Sequence, residues 1–210
     1  MIFKDRIEAG NLLATKLEPY KNEEGIVLAI PRGGVPLGYV VAKNLKMPLD
    51  VVLSKKIGHP NHKEFAIGAV TLKNRVLSEA ASSVSKIYID EETKRIRTTL
   101  TKRYQDYYGE KPLPELKNKI LIVIDDGIAT GNTVLSTLEM LKEEKPKKIV
   151  VAIPVSSRRA LQRLQNSPFI DEVICLYAPI DFQAVGQFYE NFDQVGDAEV
   201  KTLLNKLIMD

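Results

Sequence analysis

The stretch Ile120–Thr133, ILIVIDDGIATGNT, constrains the fold more than any other part of the chain. Its first six residues are continuous, largely β-branched and end in acid, the pattern of a strand buried on both faces. A turn containing Gly127 and Gly131 follows. Val134, Leu135, Leu138 and Leu141 then recur at helical spacing and predict a helix from about 132 to 144. A strand with no polar face needs helices on both sides of its sheet, so this segment alone points to a layered α/β fold.

The rest of the chain repeats the alternation. A helix is predicted at 5–18, with Ala9, Leu12, Leu13 and Leu17 on one face. The apolar run Ile26–Ile30 stops at Pro31-Arg32-Gly33-Gly34, and a helix follows at 35–45. Strands are expected at 50–54, Ile149–Pro154 and 172–177, with a helix at 157–166. The last helix, 198–208, carries Val200, Leu203, Leu204, Leu207 and Ile208 on its inner face, with Asp197 as its expected N-cap. The expected fold class is α/β: a central, mostly parallel sheet flanked by helices. No internal repeat or low-complexity linker divides the 210 residues, so residues 1–210 read as one domain.

Two stretches interrupt the alternation and together form an insertion at about 55–110. Residues 55–83 contain glycine and lysine, with short strand-like pieces at 65–72 and 75–78. Residues 84–108 form a long charged helix whose apolar positions, Ile89, Thr93, Ile96, Leu100, Tyr104 and Tyr107, make a narrow stripe. So narrow a stripe suggests an arm or lid resting on the domain, or on a second subunit, and not core.

In an open parallel sheet, ligands bind beyond the carboxyl ends of the strands. The buried strand delivers Asp125 and Asp126 to that edge, and Gly127–Thr133 turns directly into a helix. A glycine-bearing turn that opens a helix aims backbone N–H groups at the positive end of the helix dipole. Thr130 and Thr133 add hydroxyl donors, and Gly131 lets the backbone approach closely. These features suit a phosphate monoester. Two carboxylates beside a phosphate would repel it unless something separates them, and a ribose does so: its diol donates to the acids while its 5′-phosphate reaches the loop. Other nucleotide motifs fit worse. A P-loop needs lysine where Asn132 stands, and the GxGxxG spacing is absent. The plain alternative is a strand–turn–helix whose turn merely happens to be polar.

Pro31-Arg32-Gly33-Gly34 also follows a strand and precedes a helix, so it should open onto the same edge. Alone it is a turn; beside the first motif, with Arg32 as a forked donor, it becomes a candidate second anion site. Ser54, Lys55 and Lys56 end the next strand and could cover an anion, although a solvated lysine pair explains them equally well. His59, His62 and Glu64 hint at metal ligation, but HxxH in a glycine–proline loop is a weak signal, and the non-metal alternative is preferred.

The net charge of +3 is too small to imply nucleic acid. The basic runs KRIRTTLTKR at 94–103 and KEEKPKK at 142–148 read as solvated faces. The single cysteine, Cys175, lies in the apolar run VICLY and reads as a buried structural thiol, which fits a reducing compartment. The N-terminal MIFKDRIEAG has no apolar signal region, and no apolar run approaches the ~20 residues of a membrane span. A cytoplasmic protein without a membrane partner is expected.

VIDDGIATGNT resembles the phosphoribosyl-pyrophosphate motif of type I phosphoribosyltransferases: apolar strand, two acids, small turn, Thr-Gly-x-Thr. The stretch 55–70, the segment KRYQDYYGEKP and the segment FQAVGQFYENFDQVGDAEV extend the likeness over nearly the whole chain, toward bacterial members with no assigned acceptor. The resemblance implies transfer of ribose 5-phosphate from phosphoribosyl pyrophosphate to a nitrogenous base or similar acceptor. It implies that Asp125 and Asp126 bind the ribose hydroxyls. It further implies that Gly127, Ile128, Ala129, Thr130, Gly131, Asn132 and Thr133 form the 5′-phosphate loop, and that Arg32, Gly33 and Gly34, with Lys55, form the pyrophosphate loop, often with a strained or cis peptide. Residues 55–70 stand where such enzymes carry a flexible catalytic loop or hood strands, which makes Lys56 and Glu64 catalytic candidates, Glu64 as a possible base. Residues 177–196 would be a hood, with Phe182 either stacking on an acceptor ring or serving as a core aromatic. Mg²⁺ is the implied cofactor, carried by substrate oxygens with Asp125 and Asp126 the nearest protein acids, and a homodimer is the implied assembly. The 6-oxopurine members have an acid where this chain has Ala129, which is more like adenine- or orotate-type enzymes. The competing possibility is a regulatory protein that senses phosphoribosyl pyrophosphate without catalysis. A phosphohydrolase built on the paired acids is disfavoured by the lack of a second metal-ligand cluster.

Overall fold

The computed structural model describes residues 1–209, the side chains of 208 and 209 excepted. Its centre is a five-stranded parallel sheet. The strands are β1 (Gly25–Ala29), β2 (Leu49–Val51), β6 (Ile120–Ile124), β7 (Lys148–Val155) and β8 (Glu172–Tyr177), in the order β2-β1-β6-β7-β8. Between β2 and β6 lie β3 (Ser54–His59), β4 (His62–Thr71) and β5 (Arg75–Leu77), a separate antiparallel sheet. The helices are α1 (Arg6–Lys16), α2 (Gly34–Leu45), α3 (Lys86–Tyr108), α4 (Asn132–Lys142), α5 (Arg158–Gln165) and α6 (Asp197–Met209).

The alternation of side chains along each central strand divides the core in two. Val27, Ala29, Ile120, Ile122, Ile124, Val150 and Ala152 face a cluster containing Leu13 of α1, Leu37 and Val41 of α2, and Leu204 of α6. Ile26, Leu28, Leu121, Val123, Val151 and Ile153 face Val134, Leu138 and Leu141 of α4 and Ala160 and Leu164 of α5. Both faces of β6 are thus covered, as its unbroken apolar sequence requires. Asp5 caps α1 by accepting from the amides of Ile7 and Glu8, and Ser157 caps α5 by accepting from Ala160.

Several sequence expectations change. The run 50–54 is not one strand: β2 ends at Val51, and Ser54 already starts β3. The strand-like pieces at 65–72 and 75–78 correspond to β4 and β5, but a third strand, β3, joins them in an antiparallel sheet that ends at Leu77, and Glu79–Ser83 is a short 3-10 helix. The strand β3 was hidden because SKKIGH has little β-branching and alternates poorly. Asp197 does not cap α6. The amide of Val200 bonds to the carbonyl of Gly196, so Asp197 is the first helical residue, and its carboxylate turns to Arg103 and Tyr107. The inner face of α6 has Val200 and Leu204 buried and Leu203 and Leu207 half-buried, while the side chain of Ile208 lies outside the described residues.

The largest correction concerns α3. Ile89, Thr93, Ile96, Leu100, Tyr104 and Tyr107 are all buried, and their apolar members belong to the same cluster as α1 and α2. The helix is core, not an arm, because both β3–β4 and α6 pack along its one apolar stripe. The Tyr104 hydroxyl also donates to the buried carboxylate of Asp50 on β2 at 3.1 Å, fixing the middle of the chain to the edge of the main sheet. Ile96 is fully buried. Ile96→Ala should therefore cost about 2–5 kcal/mol in urea unfolding, whereas a loss below about 0.5 kcal/mol would mean a detachable arm.

Candidate functional site

β1 and β6 pair in parallel from Gly25↔Ile120 to Ala29↔Ile124, so both strands end at the same level. The chain leaving β1 stays beside β6: the amide of Ile30 donates to the carbonyl of Ile124 at 2.8 Å. The Pro31–Arg32 peptide is cis, as the resemblance implies for this loop. Gly33 lies against Asp126, and a Cβ there would sit 2.0 Å from the Asp126 Oδ2 atom. Only glycine permits this contact, and it joins the two motifs that the sequence placed separately.

Asp125 and Asp126 are half-buried at the end of β6. The Asp125 Oδ1 accepts from the Asp126 amide at 2.9 Å. Burial first, and the neighbouring Asp126 charge second, push the Asp125 carboxyl well above its ordinary value. Burial also raises Asp126, but Arg6 opposes the shift. The Nε and Nη2 atoms of Arg6 both lie 2.9 Å from Asp126 Oδ2. The Tyr189 hydroxyl donates to the Asp126 carbonyl at 2.6 Å.

The loop after the acids is held from outside by the next strand and helix. The amide of Ile128 donates to Val155, and that of Ser157 to Ile128. The Ser157 hydroxyl donates to Ala129, and Arg163 donates to the Thr130 carbonyl and the Asn132 side chain, each at 2.8 Å. Gly131 has φ +76°, the left-handed conformation that turns the chain into α4. No side chain caps α4, and Ala129, Thr130, Asn132 and Thr133 are exposed. The loop is therefore a row of amides and hydroxyls facing outward at a helix N-terminus, chemically suited to a phosphate.

The remaining candidates are arranged around these two loops. Arg32 is half-buried, and its guanidinium lies 3.6 Å from Asp197. Ser54, at the base of the β3–β4 hairpin, hydrogen-bonds Thr137 of α4 at 2.8 Å. Lys55 and Lys56 project from β3 into solvent. Lys56 and Glu64, separate candidates in the sequence, are each other's partners at 2.7 Å. The Lys56 ammonium holds the Glu64 carboxyl below its usual value, which makes it a poor base in this conformation. His59 and His62 stack at the hairpin turn, and among the described residues no cluster of three His, Cys, Asp or Glu side chains forms a metal site. Phe182 is half-buried and stacks on Phe188 at 5.5 Å, so part of its ring is already covered. Cys175 is half-buried, and burial raises its thiol pKa, the behaviour of an inert structural cysteine.

Sequence reasoning missed Arg6, Asp197, Tyr189 and Arg163. Each acts on a partner at least 31 residues away, Arg6 on one 120 residues away, so no local spacing signals it. The one available hint was the isolated cation in the first turn of α1, which ordinary solvation would explain.

A family model described as the phosphoribosyl transferase domain matches residues 4–184. A Mycobacterium tuberculosis protein, provisionally named a phosphoribosyl transferase, is 34% identical over 209 residues, covering 98% of this chain and 47% of its own length. The chain thus spans about half the length of the curated relatives it matches. A crystal structure of a Thermus thermophilus protein superposes with a TM-score of 0.87 at 39% identity over 99% of both chains. The hypoxanthine-guanine phosphoribosyltransferase of Bacillus anthracis shares the fold, with a TM-score of 0.50 at 14% identity over 86% of this chain and 83% of that one. No helix among the described residues is long and apolar enough to cross a membrane.

The raised Asp125 pKa has a consequence for stability. The folded state binds this proton more tightly than the unfolded state, so stability falls as pH rises from the unfolded carboxylate value through the folded one. Asp125→Asn removes that penalty. In chelator-treated protein without ligand, it should melt a few degrees above wild type at pH 8, on a scale of about 2–4 °C per kcal/mol. The gap should close as pH falls toward 4. Equal melting temperatures across that range would contradict the strained state of the pair.

Proposed function

The chain belongs to the phosphoribosyl transferase domain family, and from that premise we propose that it transfers ribose 5-phosphate from phosphoribosyl pyrophosphate to a nitrogenous base or similar acceptor. The observation that carries this proposal is the contact between Gly33 and Asp126, which brings the two candidate anion loops and both acids together. A single phosphate needs only one such loop. A 5′-phosphate and a pyrophosphate on opposite sides of a sugar need two, with hydrogen-bond acceptors between them.

In this proposal the loop 127–133 holds the 5′-phosphate through its amides and the hydroxyls of Thr130 and Thr133. Asp125 and Asp126 accept from the ribose hydroxyls, and their charge favours the oxocarbenium-like transition state. Arg32 and the backbone of Gly33 and Gly34 receive the pyrophosphate. The bond from C1 of the ribose to the pyrophosphate oxygen breaks, its electron pair leaving with pyrophosphate. An acceptor nitrogen then bonds to C1 through its lone pair, and its proton passes to the departing pyrophosphate or to water. Two protein carboxylates fit a Mg²⁺ ion that takes most of its oxygens from substrate and water, and when bound it would neutralise the leaving group. Lys55 and Lys56 lie on a hairpin based against α4, where they could cover the pyrophosphate and exclude water. A reducing, cytoplasmic setting fits the single cysteine.

One observation favours the second reading, a non-catalytic sensor. Ala129 stands where 6-oxopurine enzymes have an acid, and Glu64 is tied to Lys56. Neither Ala129 nor the Lys56-bound Glu64 therefore offers a free proton acceptor.

Pyrophosphate release from phosphoribosyl pyrophosphate and Mg²⁺, measured with a panel of bases, separates the readings. Base-dependent release is expected. Tight binding without release would identify a sensor, and base-independent release a hydrolase. In the first case, Asp126→Asn should lower kcat by about 10²–10³, the usual effect of removing one electrostatic contact to a transition state. Wild-type turnover in that variant would remove Asp126 from the site.

A further inference from the structure

We infer that Arg6 is a positioning residue for the ribose site: it fixes the orientation of Asp126 and occupies its Oδ2, leaving Oδ1 outside the ion pair to meet a sugar hydroxyl. This rests on the proposed role of Asp126 toward ribose. The geometry of the guanidinium carries it. Nε and Nη2 both converge on Oδ2 at 2.9 Å. Nη1 donates to the carbonyl of Asp193 at 2.9 Å. The planar group also lies over the ring of Phe192, with its central carbon 4.0 Å from the centroid. All three nitrogens of the guanidinium and one of its faces are therefore engaged, which restricts the orientation of the side chain.

The ion pair is shielded as well as ordered. The side chains of Arg6 and Asp126 are 11% and 15% exposed, so water screens the attraction weakly. Two further contacts hold Asp126: Gly33 lies against the Oδ2 side of its carboxylate, and Tyr189 donates to its carbonyl. A surface salt bridge would add little order. This one fixes a carboxylate that otherwise sits buried beside a second acid.

The contact also joins parts of the chain that local sequence does not connect. Arg6 lies in the first turn of α1, whose start is fixed by the Asp5 cap, and Phe192 and Asp193 belong to the hood segment. Phe192 is itself stacked on Tyr189 at 5.0 Å. The N-terminal helix and the hood thus meet on one guanidinium, and that guanidinium meets the acid proposed for the sugar. The pyrophosphate loop touches Asp126 through Gly33 but makes no bond to Arg6.

This asymmetry supplies the test. Titrate ribose 5-phosphate and inorganic pyrophosphate separately into wild type, Arg6→Met and Arg6→Lys. Arg6→Met should weaken ribose 5-phosphate at least tenfold and leave pyrophosphate within about twofold, because the two ligands divide between the loops. Arg6→Lys should recover part of the ribose 5-phosphate affinity, since an ammonium can reach Oδ2 but cannot also hold Asp193 and lie flat on Phe192. With phosphoribosyl pyrophosphate, Arg6→Met should raise KM more than it lowers kcat. Equal losses for both ligands would reduce Arg6 to a general structural contact, and wild-type affinity for ribose 5-phosphate in Arg6→Met would overturn the inference outright. If wild type binds neither ligand, the functional reading fails and this one falls with it. A melting curve for each variant shows whether it is folded. Should Arg6→Met not fold, the inference is decided by Phe192→Leu, which removes the ring under the guanidinium and should produce the same selective loss in smaller degree.

Discussion

Everything at the candidate site depends on the parallel pairing of β1 with β6. The register Gly25↔Ile120 to Ala29↔Ile124 ends both strands at one level, and the Ile30–Ile124 hydrogen bond carries the alignment one residue further. Two loops that are about ninety positions apart in sequence therefore leave the sheet side by side. A shift of one residue would reverse which face each side chain covers and separate Gly33 from Asp126. The burial of Val27, Ala29, Ile122 and Ile124 on one face and of Ile26, Leu28, Leu121 and Val123 on the other prevents such a slip.

That alignment concentrates negative charge. Asp125 and Asp126 are adjacent, withdrawn from water and bonded to each other through a main-chain amide. Their raised pKa values express the cost of keeping both charged while withdrawn from water. A buried pair of adjacent acids is costly, and such perturbed groups cluster at functional sites. The chain relieves part of that cost internally through Arg6. Ribose hydroxyls and a divalent cation would relieve the rest.

The cations around the site are tied in a similar way. Arg32 faces Asp197, which also engages Arg103 and Tyr107 of α3. Arg163 braces the loop 127–133 through Thr130 and Asn132. These contacts tie α3, α5 and α6 to the residues around the loops, while α3 itself is core through the packing of β3, β4 and α6 on its apolar stripe. Some polar residues beside that stripe also have partners on neighbouring elements, as Arg75 shows by reaching from β5 to Asp90 and Thr93.

By itself the sequence determined the α/β class, the order of the central strands and helices to within a few residues, and the two loops with their acids and glycines. Those features are local: buried strands read as apolar runs, helices as a 3.6-residue period, and tight turns as glycine. Tertiary structure decided what depends on contacts between distant segments. It made β3 a strand through pairing with β4, turned α3 from an arm into core, drew Asp197 away from capping α6, and paired Lys56 with Glu64. It also brought Arg6 across 120 residues to Asp126. A charged side chain carries no periodicity that names its partner, because a salt bridge is set by where the backbones lie, and only the folded core fixes that.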